Sequence, residues 1–329
     1  MKTKVIIYKS ISIAALLFLF LPSCKKRTET TLINTTDDAA TQTIIAADEL
    51  EVNYELDQTV NEAILASSIS STTSGIATST NPDILFTAIP DAVIDTNKIK
   101  KGIIIINYYG KNPDKTKART GTLEIRHALA GGKVIPWKTK GASMKLIYNQ
   151  YEIVFLKIVN KSIVLNDTGV VTNLSGGLLQ TLLPGDSVVN KVKARLAFTN
   201  NDNITVIQQW IWDFNRHQVY KLNDTTITTM ITGDTVVNGT DGVVTCGTTR
   251  SGQNFYTSIT TPVIQNIAKS SFLYNPLSGV KNIQGIKEPI TVTYGVDQQG
   301  NLVNSGKPYG YKFKWINASG ITKGELKGY

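Results

Sequence analysis

The sequence predicts a mainly β protein: antiparallel strands, built as a sandwich or as one long twisted sheet, preceded by one N-terminal amphipathic helix. Three observations predict it. Short runs of alternating apolar and polar residues recur from about Asn81 to the C-terminus. Turn residues punctuate them, as in "NDTG", "NGTDG", "RSGQN" and "DQQGN". A helical spacing of apolar residues occurs once, near the N-terminus. Short strands separated by turn signals pair antiparallel. A parallel sheet would need helices between its strands, and no such alternation is present.

In chain order, residues 1–23 read as a lipoprotein signal peptide. Lys2, Lys4 and Lys9 form a basic start, and "ISIAALLFLFL" follows from Ile11 to Leu21. That run is about half of the ~20 apolar residues that a spanning helix needs. A basic start, a short apolar middle and a small residue before a break mark a cleaved secretory segment. Leu21-Pro22-Ser23-Cys24 resembles a bacterial lipobox, and the resemblance implies that Cys24 becomes the first mature residue and carries the acyl chains. Pro22 stands where a small or hydroxyl residue is usual. Two or more chains hold a protein permanently at a bilayer, at ~0.8 kcal/mol per buried methylene. Lys25, Lys26 and Arg27 then lie at the headgroups, and this basic start favours the periplasmic face of an outer membrane over the cell surface. With Cys24 acylated, Cys246 is expected as a lone thiol packed as a small apolar group. The alternative is a Cys24–Cys246 disulfide.

Residues 24–39 read as a tether, polar and without periodicity. Residues 40–66 read as an acidic helix. Ile45, Val52, Leu56, Val60 and Ala63/Ile64 recur at helical spacing, with Asp48, Glu49, Glu51, Glu55 and Asp57 on the other positions. Residues 67–80 read as a Ser/Thr-rich linker, closed by the turn signal Asn81-Pro82.

Residues 81–329 read as the antiparallel β-body. "IIIINYYG" is an apolar run bounded by glycines. "TLEIRH" and "VKARLAFT" alternate. "ITVIQQWIWDF", from Ile204 to Phe214, is the longest strand candidate, with Trp210, Trp212 and Phe214 on one face. Further candidates are 151–158, 163–166, 169–173, 226–231, 243–246, 255–261, 290–294 and 311–315. "FNRHQ" after Asp213 reads as a turn.

Charge is unevenly placed. The whole chain carries +9, and loss of the three leader lysines leaves +6. Thr28–Glu62 holds nine acids and no Lys or Arg, whereas Lys98–Lys145 holds twelve bases against Asp114 and Glu124. The two blocks are expected to face each other, or the basic one to face lipid; a nucleic-acid partner does not suit an exported chain.

The order of landmarks is "KKGIIIINYYG", "RTGTLEIR", "TNLSGG", a Trp-bearing strand, "GTTRSGQNFYTSITTPV" and "ITVTYGVDQQGNLVN". It resembles a group of uncharacterised envelope lipoproteins of Bacteroidetes-type bacteria. Two departures stand out: Val263 replaces a leucine after Pro262, and the cysteines usual near Tyr294-Gly295-Val296-Asp297 are absent. The resemblance implies class and location. It supplies no catalytic residue and no cofactor.

Chemistry is sparse. His127 and His217 are the only histidines. Neither neighbours a G-x-S-x-G elbow, and both read as surface or turn residues. No spacing suits zinc or the twelve-residue calcium loop. "GTTRSG" lacks the Lys-Ser/Thr of a phosphate loop. Scattered acids such as Asp167, Asp186, Asp213, Asp234, Asp241, Glu288 and Asp297 select no hydrolytic pair. The expectation is therefore a non-enzymatic lipid-anchored structural or binding protein. It has no catalytic residue, metal or cofactor, and its partners are the membrane and a glycan or another envelope protein. One alternative is a glycan-binding accessory protein using Trp210 and Trp212 as an aromatic face. A polysaccharide hydrolase is the other.

Overall fold

The computed structural model describes residues 38–72, 89, 91–111, 115–156, 162–200, 209–223, 226–267, 275–304 and 306–329. The signal peptide, Cys24 and most of the linker lie outside the described residues.

Among the described residues one α-helix, α1 (Asp38–Thr72), precedes seventeen strands. In chain order these are β1 (Ala92–Asp95), β2 (Ile103–Lys111), β3 (Lys117–His127), β4 (Leu129–Ala130), β5 (Lys133–Val134), β6 (Ser143–Phe155), β7 (Ser162–Asn173), β8 (Ser187–Asn200) and β9 (Gln209–Asn223). They continue as β10 (Thr226–Gly233), β11 (Thr235–Val237), β12 (Thr240–Thr248), β13 (Asn254–Ile267), β14 (Pro276–Gln284), β15 (Ile290–Val296), β16 (Gly310–Ile316) and β17 (Thr322–Gly328). The fold is mainly β and antiparallel. Of the two arrangements expected, one continuous sheet is found. Fifteen strands form it, in the order β1-β2-β3-β6-β7-β8-β9-β10-β13-β14-β15-β16-β17. β12 also fits between β9 and β13, end to end with β10, and β11 pairs with it. β4 and β5 form a separate small hairpin.

The helix takes the place of a second sheet. β3 and β14 are seven steps apart in the sheet order, about 33 Å if the sheet were flat. Both nevertheless touch α1, which with side chains is only ~10–12 Å wide: Lys117 of β3 reaches Glu55, and Lys281 of β14 reaches Glu49. The sheet must therefore curl around the helix. Val52, Leu56, Val60, Ala63 and Ile64 of α1 are closed off from solvent and share one core with Leu123, Ile125, Leu146, Leu165, Leu196 and Phe198 of the strands. An apolar side chain so buried contributes roughly 1.5–3 kcal/mol.

The helix runs on through Ser67–Thr72, beyond the expected boundary. Its acids overturn the expected amphipathic pattern. Asp48, Glu49, Glu55, Asp57 and Glu62 are all buried. Residues 215–218 of "FNRHQ" form no turn either; they sit inside β9, paired with residues 190–193 of β8.

A bulge aims two tyrosines at the helix. Tyr148 and Tyr151 are three apart, so simple alternation would put them on opposite faces. The register shifts between them against β7, and opposite them between Thr120 and Thr122 of β3. The extra residue turns both rings inward, with 2% and 0% of their surface exposed. Gly121 (φ 91°) makes this possible, because a Cβ there would lie 2.1 Å from the Gln150 carbonyl oxygen.

Candidate functional site: a helix held by buried ion pairs

α1 presents polar stripes to different strands. Asn53, Asp57 and Asn61 lie four apart and so share a helix face. Arg216 of β9 donates from Nη1 to Asn53 Oδ1 at 2.9 Å and lies 3.3 Å from Asp57 Oδ1. Gln218 donates to Asp57 at 2.9 Å, and the Tyr220 hydroxyl donates to Asn61 at 2.6 Å. Residues 216, 218 and 220 follow the period of two along one strand, so three successive inward positions match three successive helix turns.

A second stripe faces the early strands. Lys117 donates to Glu55 at 2.7 Å. Thr59 and Tyr148 share a hydrogen bond of 2.7 Å. Arg119 donates from Nη2 to Glu62 Oε1 at 2.9 Å and from Nε to Asp91 Oδ2 at 2.6 Å. Its guanidinium also lies over the Tyr108 ring, 4.6 Å from the centroid, and the Tyr108 hydroxyl donates to Glu62. Nearer the helix N-terminus, Lys281 approaches Glu49 at 3.2 Å and Arg250 donates to Asp48 at 2.6 Å.

Burial shifts the titration of some groups around α1. Burial pushes the Asp57 carboxyl up, and Arg216 offsets part of that push. Burial raises the hydroxyls of Tyr108, Tyr151 and Tyr294 well above the ordinary tyrosine range. Each base spends its charge on a helix acid. Such pairs fix position more than they add stability, because desolvating both ions offsets their attraction.

The expected aromatic ligand face is corrected. Trp210 and Trp212 each keep only 2% of their surface exposed. Trp210 stacks on Phe198 at 5.7 Å, and Trp212 meets Phe198 and Phe255 edge-on at 5.4 and 5.0 Å. The Trp212 indole N–H is already spent on the Thr248 carbonyl at 2.8 Å. They are core residues with no free face for a sugar.

The histidines stand on different strands. His127 ends β3 buried, not in a surface turn, and its burial lowers its pKa. His217 points outward from β9, 3.5 Å from Asp234. Several acids of the β-body make local structural contacts. Asp213 lies 3.3 Å from Arg195, Glu288 accepts from the Ala318 N–H, and Asp297 closes its turn by accepting from the Gln299 and Asn301 N–H groups. Among the described residues no group of three or more His, Cys, Asp or Glu is placed to hold a metal ion.

Cys246, on β12, is disulfide-bonded, which corrects the lone thiol expected there. It lines a hollow of about 320 Å³ with Val170, Arg195, Asp213, Asn215 and Thr235.

The signal that could have revealed the ion-pair stripes is the run of outwardly polar residues at 215–218, opposite a helix whose acids recur every three or four positions. This chain matches no protein-family model, no curated protein and no solved structure.

Proposed function

We propose that this chain is a lipid-anchored cell-envelope protein whose body is a non-enzymatic structural or binding module. The observation that carries the reading is Leu21-Pro22-Ser23-Cys24, after a basic start and a short apolar run. The body supports the non-enzymatic part. The buried acids of α1 are engaged with Lys117, Arg119, Arg216, Arg250 and Lys281, which hold the helix in the sheet. The favoured location is the periplasmic face of the outer membrane, because Lys25, Lys26 and Arg27 follow the cysteine directly.

One sulfur cannot serve two ends. Cys246 is disulfide-bonded, and Cys24 is the only other cysteine in the sequence. A Cys24 that carries lipid cannot also be its partner, so on this reading Cys246 is bridged to a cysteine of another molecule. Intact-mass measurement of the detergent-extracted protein separates the two. The proposal expects a chain starting at Cys24 with added acyl mass that alkaline hydroxylamine or lipase treatment reduces. A chain starting elsewhere, or one bridged within itself and without lipid, overturns it.

A further inference from the structure

We propose that the end of the sheet carrying the β4–β5 hairpin is a docking surface for a bilayer of anionic phospholipid. The inference goes beyond the acyl anchor and does not depend on how Cys24 is used.

Backbone hydrogen bonds gather several loops at this end. Ala128 N–H donates to Ser143, Asn173 N–H to Ala142 and Gly177 N–H to Lys138, at 2.9, 2.8 and 2.9 Å. Gly176 fits so closely that a Cβ would lie 3.1 Å from the Lys138 oxygen. Trp137 is buried beneath, and its carbonyl accepts from the Asn173 side chain at 2.9 Å. The loops are therefore a fixed platform.

The platform carries bases and exposed leucines together. Lys100, Lys101, Lys133, Lys138, Lys140 and Lys145 are all exposed there. Among the described residues none of the six has an ion-pair partner. The acids nearby are Asp186, Asp95 and Glu124, and Glu124 is already paired with Arg126. Leu129, at the hairpin, is 53% exposed; Leu183 and Leu174, on the neighbouring loops, are 54% and 36% exposed. The hairpin turn is Gly131-Gly132, both at positive φ, which projects a tight two-residue tip.

This combination favours lipid over a soluble polyanion. Lysines are attracted to an anionic headgroup layer, and their stems let apolar neighbours sink below it. Leucines held among them bury apolar surface at the headgroup boundary. A soluble acidic polymer would use the lysines and leave the leucines in water.

The test uses residues 24–329 with Cys24→Ala, which keeps every described residue and removes the acylation site. Co-sedimentation is measured with vesicles of phosphatidylcholine alone and mixed with phosphatidylglycerol. Binding is expected only to the mixed vesicles, and it should weaken with salt. The triple variant K133Q/K138Q/K140Q should lose on the order of a hundredfold in affinity, roughly fivefold per lysine. L129S/L183S should also weaken binding. K100Q/K101Q/K145Q provides an independent second set should the first variant misfold. Wild-type affinity in both lysine sets overturns the proposal. So does equal binding to soluble dextran sulfate with no effect of the leucine substitutions, which would assign the surface to an acidic polymer.

Discussion

Arg119 of β3 and Glu62 of α1 meet at 2.9 Å with both side chains closed off from solvent, the guanidinium 1% exposed and the carboxylate 0%. Asp91 takes the other edge of the same guanidinium. The residues are 57 positions apart, so the contact closes only when helix and sheet are assembled. Arg119→Met removes the cation and leaves two buried carboxylates. The expected loss is about 3–5 kcal/mol, read from urea denaturation. Glu62→Gln should cost less, because Asp91 still holds the arginine. In the double mutant the costs should not add, since both substitutions break one contact.

His127 predicts an acid-side weakness. It is 7% exposed, and neither ring nitrogen finds a hydrogen-bond partner among the described residues. Burial lowers its pKa from the ordinary 6.5. The unfolded chain therefore binds a proton more readily than the folded one, and stability rises with pH across that interval. The His127 contribution is fully present above about pH 6.5. It is lost as the pH falls through that value toward the folded pKa. Denaturation midpoints of wild type and His127→Phe should diverge as the pH drops from 7.5 to 5, with wild type losing more. Parallel curves would place the imidazole in water.

Gly121→Ala tests the bulge. Its positive φ and the Gln150 carbonyl, 2.1 Å from where a Cβ would stand, oppose any side chain. Backbone strain of this kind costs about 1–3 kcal/mol, before the clash is relieved. The variant should melt several degrees lower, and the Tyr148–Thr59 contact and the 3.2 Å hydrogen bond that the Tyr151 hydroxyl donates to Glu55 should loosen together. An unchanged melting temperature would mean that the two strands can slip register freely.

Trp212→Ala separates core from ligand platform. Removing a ring packed on Phe198 and Phe255 should cost about 3–5 kcal/mol. Wild-type tryptophan emission should stay blue until the cooperative unfolding transition and should not respond to glycans. A shift on glycan addition would return Trp212 to the surface.

The strands were legible because an inward apolar residue every second position is a local signal. "VKARLAFT" shows it, with Val192, Ala194, Leu196 and Phe198 all buried in β8. The signal fails where the inner face is itself polar. Residues 215–218 read as a turn because Arg216 and Gln218 look solvated, yet they face the Asn53–Asp57 stripe of the helix. The acids of α1 misled for the same reason. Their basic partners lie 57 to 232 positions away, beyond any window that a local pattern can cover. A single sheet could not be distinguished from a sandwich, since strand alternation is identical whether a helix or a second sheet covers the inner face. Trp210 and Trp212 shared a face as expected, but alternation cannot say whether that face is wet. The exposed leucines among lysines at 129, 174 and 183 became a surface only when the loops were brought together.

The central structural claim is that α1 is the enclosed core of the sheet and not an appendage to it. Hydrogen exchange of its amides over Val52–Ala66 tests this most directly. The account predicts exchange as slow as in β6–β9, released only by global unfolding. Rapid exchange of the helix while those strands stay protected would contradict it.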